Sequence, residues 1–174
     1  MTGAVFDHLA VACERLDEGV AHVEAALGVA LAPGGRHPGF ATHNRLLSLG
    51  PGEYLEVIAV DPGAPPPGRP RWFDLDRFEG SPRLTNWIVR VDDLAAATQA
   101  GGVPGDLCDL ARGAYRWRMA VPADGVLPFG GLHPAVIEWR GPHPSAALPE
   151  SGCRLERLVL RHPEPGRLAA LPGM

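Results

Sequence analysis

The chain has 174 residues, 45% of them hydrophobic, and a formal net charge of −4, enough apolar mass for one compact domain or two small modules that share an interface. All sixteen basic residues are arginine and they form no dense run, which argues against nucleic-acid binding and excludes Schiff-base lysine chemistry and a phosphate-loop lysine. Cys13, Cys108 and Cys153 show no zinc or redox spacing, no apolar run approaches the roughly twenty residues of a membrane span, and the N-terminus does not read as a signal peptide, so a soluble protein in a reducing, cytoplasmic setting is expected.

Residues 4–12 predict a first strand whose two faces separate Leu9 and Val11 from Phe6, His8 and Ala10. Leu16, Val20, Val23 and Leu27 then recur at helical spacing, with Asp17 and Glu18 in the first turn and Gly28 as the stop. Pro33-Gly34-Gly35 and Pro38-Gly39 punctuate the next stretch, so a short strand near 29–32, a loop through His37 and a strand over 42–49 follow. Pro51-Gly52 turns the chain into a strand over 53–60. Residues 1–62 thus read as one module of the order strand, helix, three strands.

Residues 63–82 are a proline-rich connector that ends in the aromatic anchor Trp72-Phe73. Residues 83–141 repeat the order: a strand from Arg83 to Val91, a helix opened by Asp92 or Asp93 and ended by Gly101-Gly102, then strands near 106–110, 114–121 and 134–140. A C-terminal extension, 142–174, holds one apolar strand over Arg154–Leu160 and a short helix before Pro172.

The two modules say nearly the same thing. His8 lies as far before Leu16 as Asn86 lies before Leu94, and each module carries a carboxylate in its last strand, Glu56 and Glu138. If Leu9, Val11, Leu55 and Val57 pack under the first helix, alternation sends His8 and Glu56 to the opposite face. The matching expectation puts Trp87, Val89, Ile137 and Trp139 under the second helix and leaves Asn86 and Glu138 facing away. Carboxylates among Val, Ile and Leu are costly to bury alone, so two readings stand open. The four polar groups converge on a divalent ion, which His and Glu on strands suit; or Arg90 and Arg140, on the faces of Asn86 and Glu138, pair with the acids.

The segments Asp7-His8-Leu9, Gly34-Gly35-Arg36-His37-Pro38-Gly39 leading to Thr42-His43-Asn44, and Tyr54-Leu55-Glu56-Val57-Ile58-Ala59-Val60-Asp61-Pro62 resemble the glyoxalase-like domain branch of the vicinal oxygen chelate superfamily. That group includes glyoxalase I, extradiol dioxygenases and fosfomycin-resistance proteins. The resemblance covers residues 4–162 and implies an α+β fold, two tandem βαβββ modules forming a curved mixed-sheet cup. It also implies a divalent metal (Zn, Ni, Mn, Fe or Co) held by His8, Glu56 and Glu138, with Asn86 where many relatives place a histidine.

On this reading Glu56 and Glu138 are the catalytic proton carriers of an isomerase or lyase acting on a small molecule with vicinal oxygens. Asn86, Asn44, His37, Arg90, Arg118 and Arg140 are the candidate substrate contacts, with Arg116 beside Arg118. The bland alternatives are a solvated His37, core tryptophans at Trp87 and Trp139, and a plain turn at Gly34-Gly35. The rival functional reading is a non-catalytic protein that sequesters a small molecule in the same cup. A homodimer is expected because the superfamily commonly dimerises.

Overall fold

The computed structural model describes residues 3–168. Strand β1 (Val5–Ala12), helix α1 (Leu16–Leu27) and strands β2 (Ala32–His37), β3 (Thr42–Gly50) and β4 (Glu53–Val60) form the first half. Strand β5 (Arg83–Arg90), helix α2 (Leu94–Gln99) and strands β6 (Asp106–Arg112), β7 (Tyr115–Val121) and β8 (Ala135–Trp139) form the second in the same order.

All eight strands join one curled mixed sheet of order β2-β3-β4-β1-β5-β8-β7-β6. Within each half the first and last strands run parallel, β1 with β4 and β5 with β8, while β1 and β5 meet antiparallel at the seam between halves. The outer face carries both helices over Leu9, Val11, Leu55, Val57, Trp87, Val89 and Val136. The inner, concave face is lined by Ala10, Ile58, Ile88, Trp117, Met119 and Ile137.

Helix α1 starts and stops as its pattern predicts, with Gly28 closing it at φ 72°. It sits unusually close to the sheet because Gly19 faces it: a methyl there would overlap the Cys13 thiol and Val57. Leu27, on the predicted apolar stripe, is instead exposed. Helix α2 is much shorter; the Asp93 carboxylate accepts from the Ala96 amide at its start, and Gly101, at φ 82°, ends it.

Three expectations change. The strand near 29–32 lies instead at Ala32–His37, through the glycines read as punctuation. As an edge strand it tolerates Pro33, and Gly34 is required because a Cβ there would overlap oxygens of Asn44 on β3. The connector is not mere tether: Trp72, Phe73 and Leu75 are buried in the concave face. Finally, Arg154–Leu160 forms no strand. It lies on the outer face, where Leu155, Leu158 and Leu160 pack on the core beneath, away from the free sheet edges that could pair with it. A single helical turn, α3 (Pro165–Leu168), follows; the stretch just before Pro172 lies outside the described residues.

Candidate functional site

The period-two alternation of β1 and β4 brings His8, Glu56 and Tyr54 to the concave face. Asp7 joins them although it precedes His8 by one residue. A bulge between Phe6 and His8 breaks the alternation there, and the fully buried Asp7 carboxylate lies 2.5 Å from His8 Nδ1. The other imidazole nitrogen, Nε2, points to Glu56 at 3.7 Å. The ring stacks on Tyr54, with centroids 4.2 Å apart and planes 13° apart. Three groups thus form a line, carboxylate, imidazole, carboxylate, with a phenol laid along it.

Each end of the line is held. Asp7 Oδ2 accepts from Trp139 Nε1 at 3.0 Å, lies 3.0 Å from His143 Nε2, and is 3.5 Å from the Arg90 guanidinium. Glu56 Oε1 accepts from the Asn44 amide at 2.6 Å. Asn44 Oδ1 in turn accepts from the Gly35 amide at 2.7 Å and from Arg112 Nη1 at 3.0 Å. Arg112, at the end of β6, crosses the mouth from the second half and also lies 3.2 Å from His37 Nε2. Gly35 makes this crossing possible, because a side chain there would strike the Arg112 stem.

Burial works to lower the His8 pKa, but the carboxylates of Asp7 and Glu56 on its two nitrogens outweigh it and raise the value above the usual histidine range. Burial works to raise Glu56, and the bond and charge of His8, with help from His37 and Asn44, hold it below its ordinary value. Asp7 is lowered far more, against its burial, by His143 and His8. Burial pushes the Tyr54 hydroxyl well up, so it stays protonated. Burial, aided by Arg112 and opposed by Glu56, pushes His37 down to about 4, so it is neutral.

The opposite wall is apolar: Trp117, Met119, Ile137 and Trp139 from the second half and Trp72 and Phe73 from the connector. Between these walls the space in which a water-sized sphere can be centred is about 30 Å³.

Glu138 is not in this cavity. The parallel ladder sets Val136 beside Val89 and Ile137 beside Arg90, so Val136 and Glu138 share the outer face with Val89, while Ile137 and Trp139 turn inward. Along the same ladders Ala10 faces Glu56 in the first half and Ile88 faces Ala135 in the second. The structural counterpart of Glu56 is therefore Ala135. Glu138 accepts from the Leu94 amide at 2.9 Å, at the start of α2, and pairs with Arg140 at 2.7 Å, the arginine pairing weighed as the rival reading.

The other arginines also lie elsewhere. Arg118 forms two bonds with Asp109, at 2.9 and 3.0 Å, Arg116 caps the carbonyls of Gly113 and Tyr115, and Arg90 ties the carbonyls of Phe6 and Gly52 behind Asp7. Asn86 faces inward but lines a separate cavity of about 400 Å³ beyond Phe73, with its Nδ2 3.4 Å from the Gly131 carbonyl and its Oδ1 buried without a partner among the described residues.

Of the predicted contacts, the cavity gathers His8, Glu56, Asn44 and His37. Sequence reasoning missed Tyr54, which shares the parity of Glu56 and was findable. It also missed Asp7 and Arg112, which depend on a bulge and on the meeting of sheet edges.

The divalent ion that the resemblance implies needs at least three protein donors. With Glu138 on the far face, His8 Nε2 and Glu56 are two. Among the described residues no cluster of three or more His, Cys, Asp or Glu is placed to hold an ion. Asp7 on Nδ1 would orient the His8 ring toward an ion as readily as toward a substrate, so the count of donors decides. The residues present do not fit the ion.

A family profile described as a glyoxalase-like domain matches residues 6–171. No curated protein matches the chain in sequence. Among solved structures, methylmalonyl-CoA epimerase from Mycobacterium tuberculosis superposes with a TM-score of 0.54 at 21% identity, covering 84% of this chain and 95% of its own. A single-residue variant of methylmalonyl-CoA epimerase from Streptomyces coelicolor, in complex with 2-nitronate-propionyl-CoA, gives 0.51 at 16% identity over 79% of this chain and 97% of its own. A hypothetical protein from Bacillus halodurans gives 0.50 at 12% identity, over 91% of this chain and 99% of its own. At these identities the likeness is one of fold, the α+β cup of the vicinal oxygen chelate superfamily.

Proposed function

The chain belongs to the glyoxalase-like domain family, and from that premise we propose that it is an acid–base enzyme of isomerase type, acting on a small molecule with vicinal oxygens. The observation that carries this reading is the buried line Asp7, His8, Glu56 facing an aromatic cavity. The epimerase names borne by proteins of the same fold support the class by analogy.

Glu56 is the base. It is ionised, buried, and held by Asn44 with one oxygen, leaving the other toward the cavity beside His8. It takes the proton from a carbon next to a carbonyl. The charge that develops on the carbonyl oxygen is met by two donors, the His8 imidazolium and the neutral Tyr54 hydroxyl, which lie side by side. Asp7 fixes the ring and keeps His8 charged, the orienting part that a buried carboxylate plays behind a catalytic histidine. Glu56 then returns the proton to the same carbon or, where that carbon bears a hydroxyl, to the former carbonyl carbon while the hydroxyl proton passes to the former carbonyl oxygen, so the atoms balance without a leaving group. Polarisation of the carbonyl falls to side chains because the donor set does not fit a metal ion.

The test is hydrogen exchange. Incubated in deuterium oxide with a panel of short hydroxyketones and oxo acids, the parent protein is expected to introduce deuterium at carbon next to the carbonyl, read by proton NMR, and Glu56→Gln to lose this. Saturable binding with no exchange into any compound would establish the sequestration reading instead.

A further inference from the structure

The charges of the cavity do not balance within one element. Asp7 is answered by His8, His143 and Arg90, and Glu56 by His8 and the Asn44 amide. Arg112 is different. No carboxylate among the described residues pairs with its guanidinium, and both its cavity partners, Asn44 Oδ1 and His37 Nε2, are neutral. Both contacts run through a single nitrogen, Nη1. The Nε and Nη2 edge has no protein partner among the described residues, and Cζ lies 5.5 Å from the centre of the Tyr115 ring. That edge is the part of a guanidinium that takes a carboxylate with two parallel bonds. A guanidinium with a free edge beside a cavity can take an anion there.

We propose that Arg112 is the anchor for a carboxylate on the substrate, so that the ligand of this cavity is a compact monoanion, an oxo acid or hydroxy acid. The assignment rests on the acid–base reading of the same site and adds the substrate class to it. Asn44 stands between the two charges, donating to Glu56 with its nitrogen and accepting from Arg112 with its oxygen. A carboxylate on Arg112 is thereby kept one amide away from the Glu56 carboxylate, while the hydrogen-bearing carbon next to the substrate's carbonyl reaches the base. The wall of Trp72, Trp117 and Trp139 takes the apolar flank. The cavity between these walls is narrow, in keeping with a short acid. Gly34 and Gly35 acquire a purpose as well: without side chains they admit Asn44 and the Arg112 stem to their places.

The experiment compares an anion with its neutral isostere. Pyruvate and pyruvamide differ by a carboxylate against a neutral amide of the same shape, and their binding to the full chain is measured by titration calorimetry and by ligand-detected NMR. The parent is expected to prefer pyruvate; Arg112→Gln weakens pyruvate by roughly tenfold or more, Arg112→Lys by less, and neither changes the binding of pyruvamide. Far-UV circular dichroism and thermal melting confirm that the variants are folded. Equal pyruvate affinity in parent and Arg112→Gln overturns the anchor, as does a parent with no preference for the anion. Deuterium exchange, run in parallel on the same samples, keeps the two ideas apart. Exchange that depends on Glu56 but tolerates Arg112→Gln sinks the anchor and leaves the acid–base reading standing. Arg112-dependent binding with no exchange does the reverse.

Discussion

The two halves of the molecule share an element order and a sheet, yet they do opposite work at the site. The first half supplies the hydrogen-bonded polar groups: Asp7, His8, Asn44, Tyr54 and Glu56. The second supplies Trp117, Met119, Ile137 and Trp139 as an apolar wall, and one reaching cation, Arg112. Where the first half has Glu56 the second has Ala135, and where the first has Gly19 under its helix the second has Ala97. An internal repeat therefore preserves the fold, which needs only alternation and a helix to cover one face, and leaves each copy free to specialise on the other face.

The largest effect that sharpens this contrast is catalytic. Glu56→Gln should lower deuterium exchange by roughly 10²–10⁴-fold, the usual worth of a general base, while Glu138→Gln leaves the rate unchanged; equal losses would erase the contrast. His37 offers a second handle. Its folded pKa is about 4, against an ordinary value near 6.5. The unfolded chain takes up this proton first on acidification, so stability contributed by His37 is lost as pH falls from about 6.5 to 4, by about 3 kcal/mol in all. Urea titrations across that window should show a flatter pH slope in His37→Gln, and an unchanged slope would mean His37 is not held neutral.

Smaller effects separate the two helices. Gly19→Ala should cost about 1–3 kcal/mol through overpacking against Cys13 and Val57, read as a lower urea midpoint at unchanged slope. Ala97→Gly costs about 1 kcal/mol by helix propensity alone. If the two substitutions cost the same, the close approach of α1 is not what distinguishes the halves. Glu138→Gln loses the charge of its Arg140 pair and keeps one oxygen for the α2 terminus, a change worth about 1 kcal/mol or less at this half-exposed place. Smallest of all is the response to metal. Adding zinc, nickel or cobalt should leave the melting temperature unmoved, and a saturable rise abolished by His8→Ala would restore the ion to the site.

Much of this was legible in the chain. Periodicity placed α1 from Leu16 to Leu27 and seven of the eight strands nearly where they lie, because alternation and helical spacing are local properties of a segment. His8 and Glu56 were placed on one face by the same parity. Asn86 was placed inward too, yet it serves a different cavity, since direction along a strand says nothing of position along the cup. The strand assigned to Arg154–Leu160 failed for a related reason: its apolar character is satisfied by packing across the outer face, and pairing needs a free edge at hand.

The amino-acid order by itself determined a doubled strand-and-helix fold and a histidine and a glutamate turned away from the first helix. The tertiary structure alone decided that Glu138 faces outward, that Asp7 reaches His8, and that Arg112 closes the mouth. The physical reason is that which face a side chain takes depends on the strand's phase in the ladder. A bulge, or an odd shift in the ladder such as the three residues between Ala135 and Glu138, inverts that phase, and both are set by partners distant in the chain.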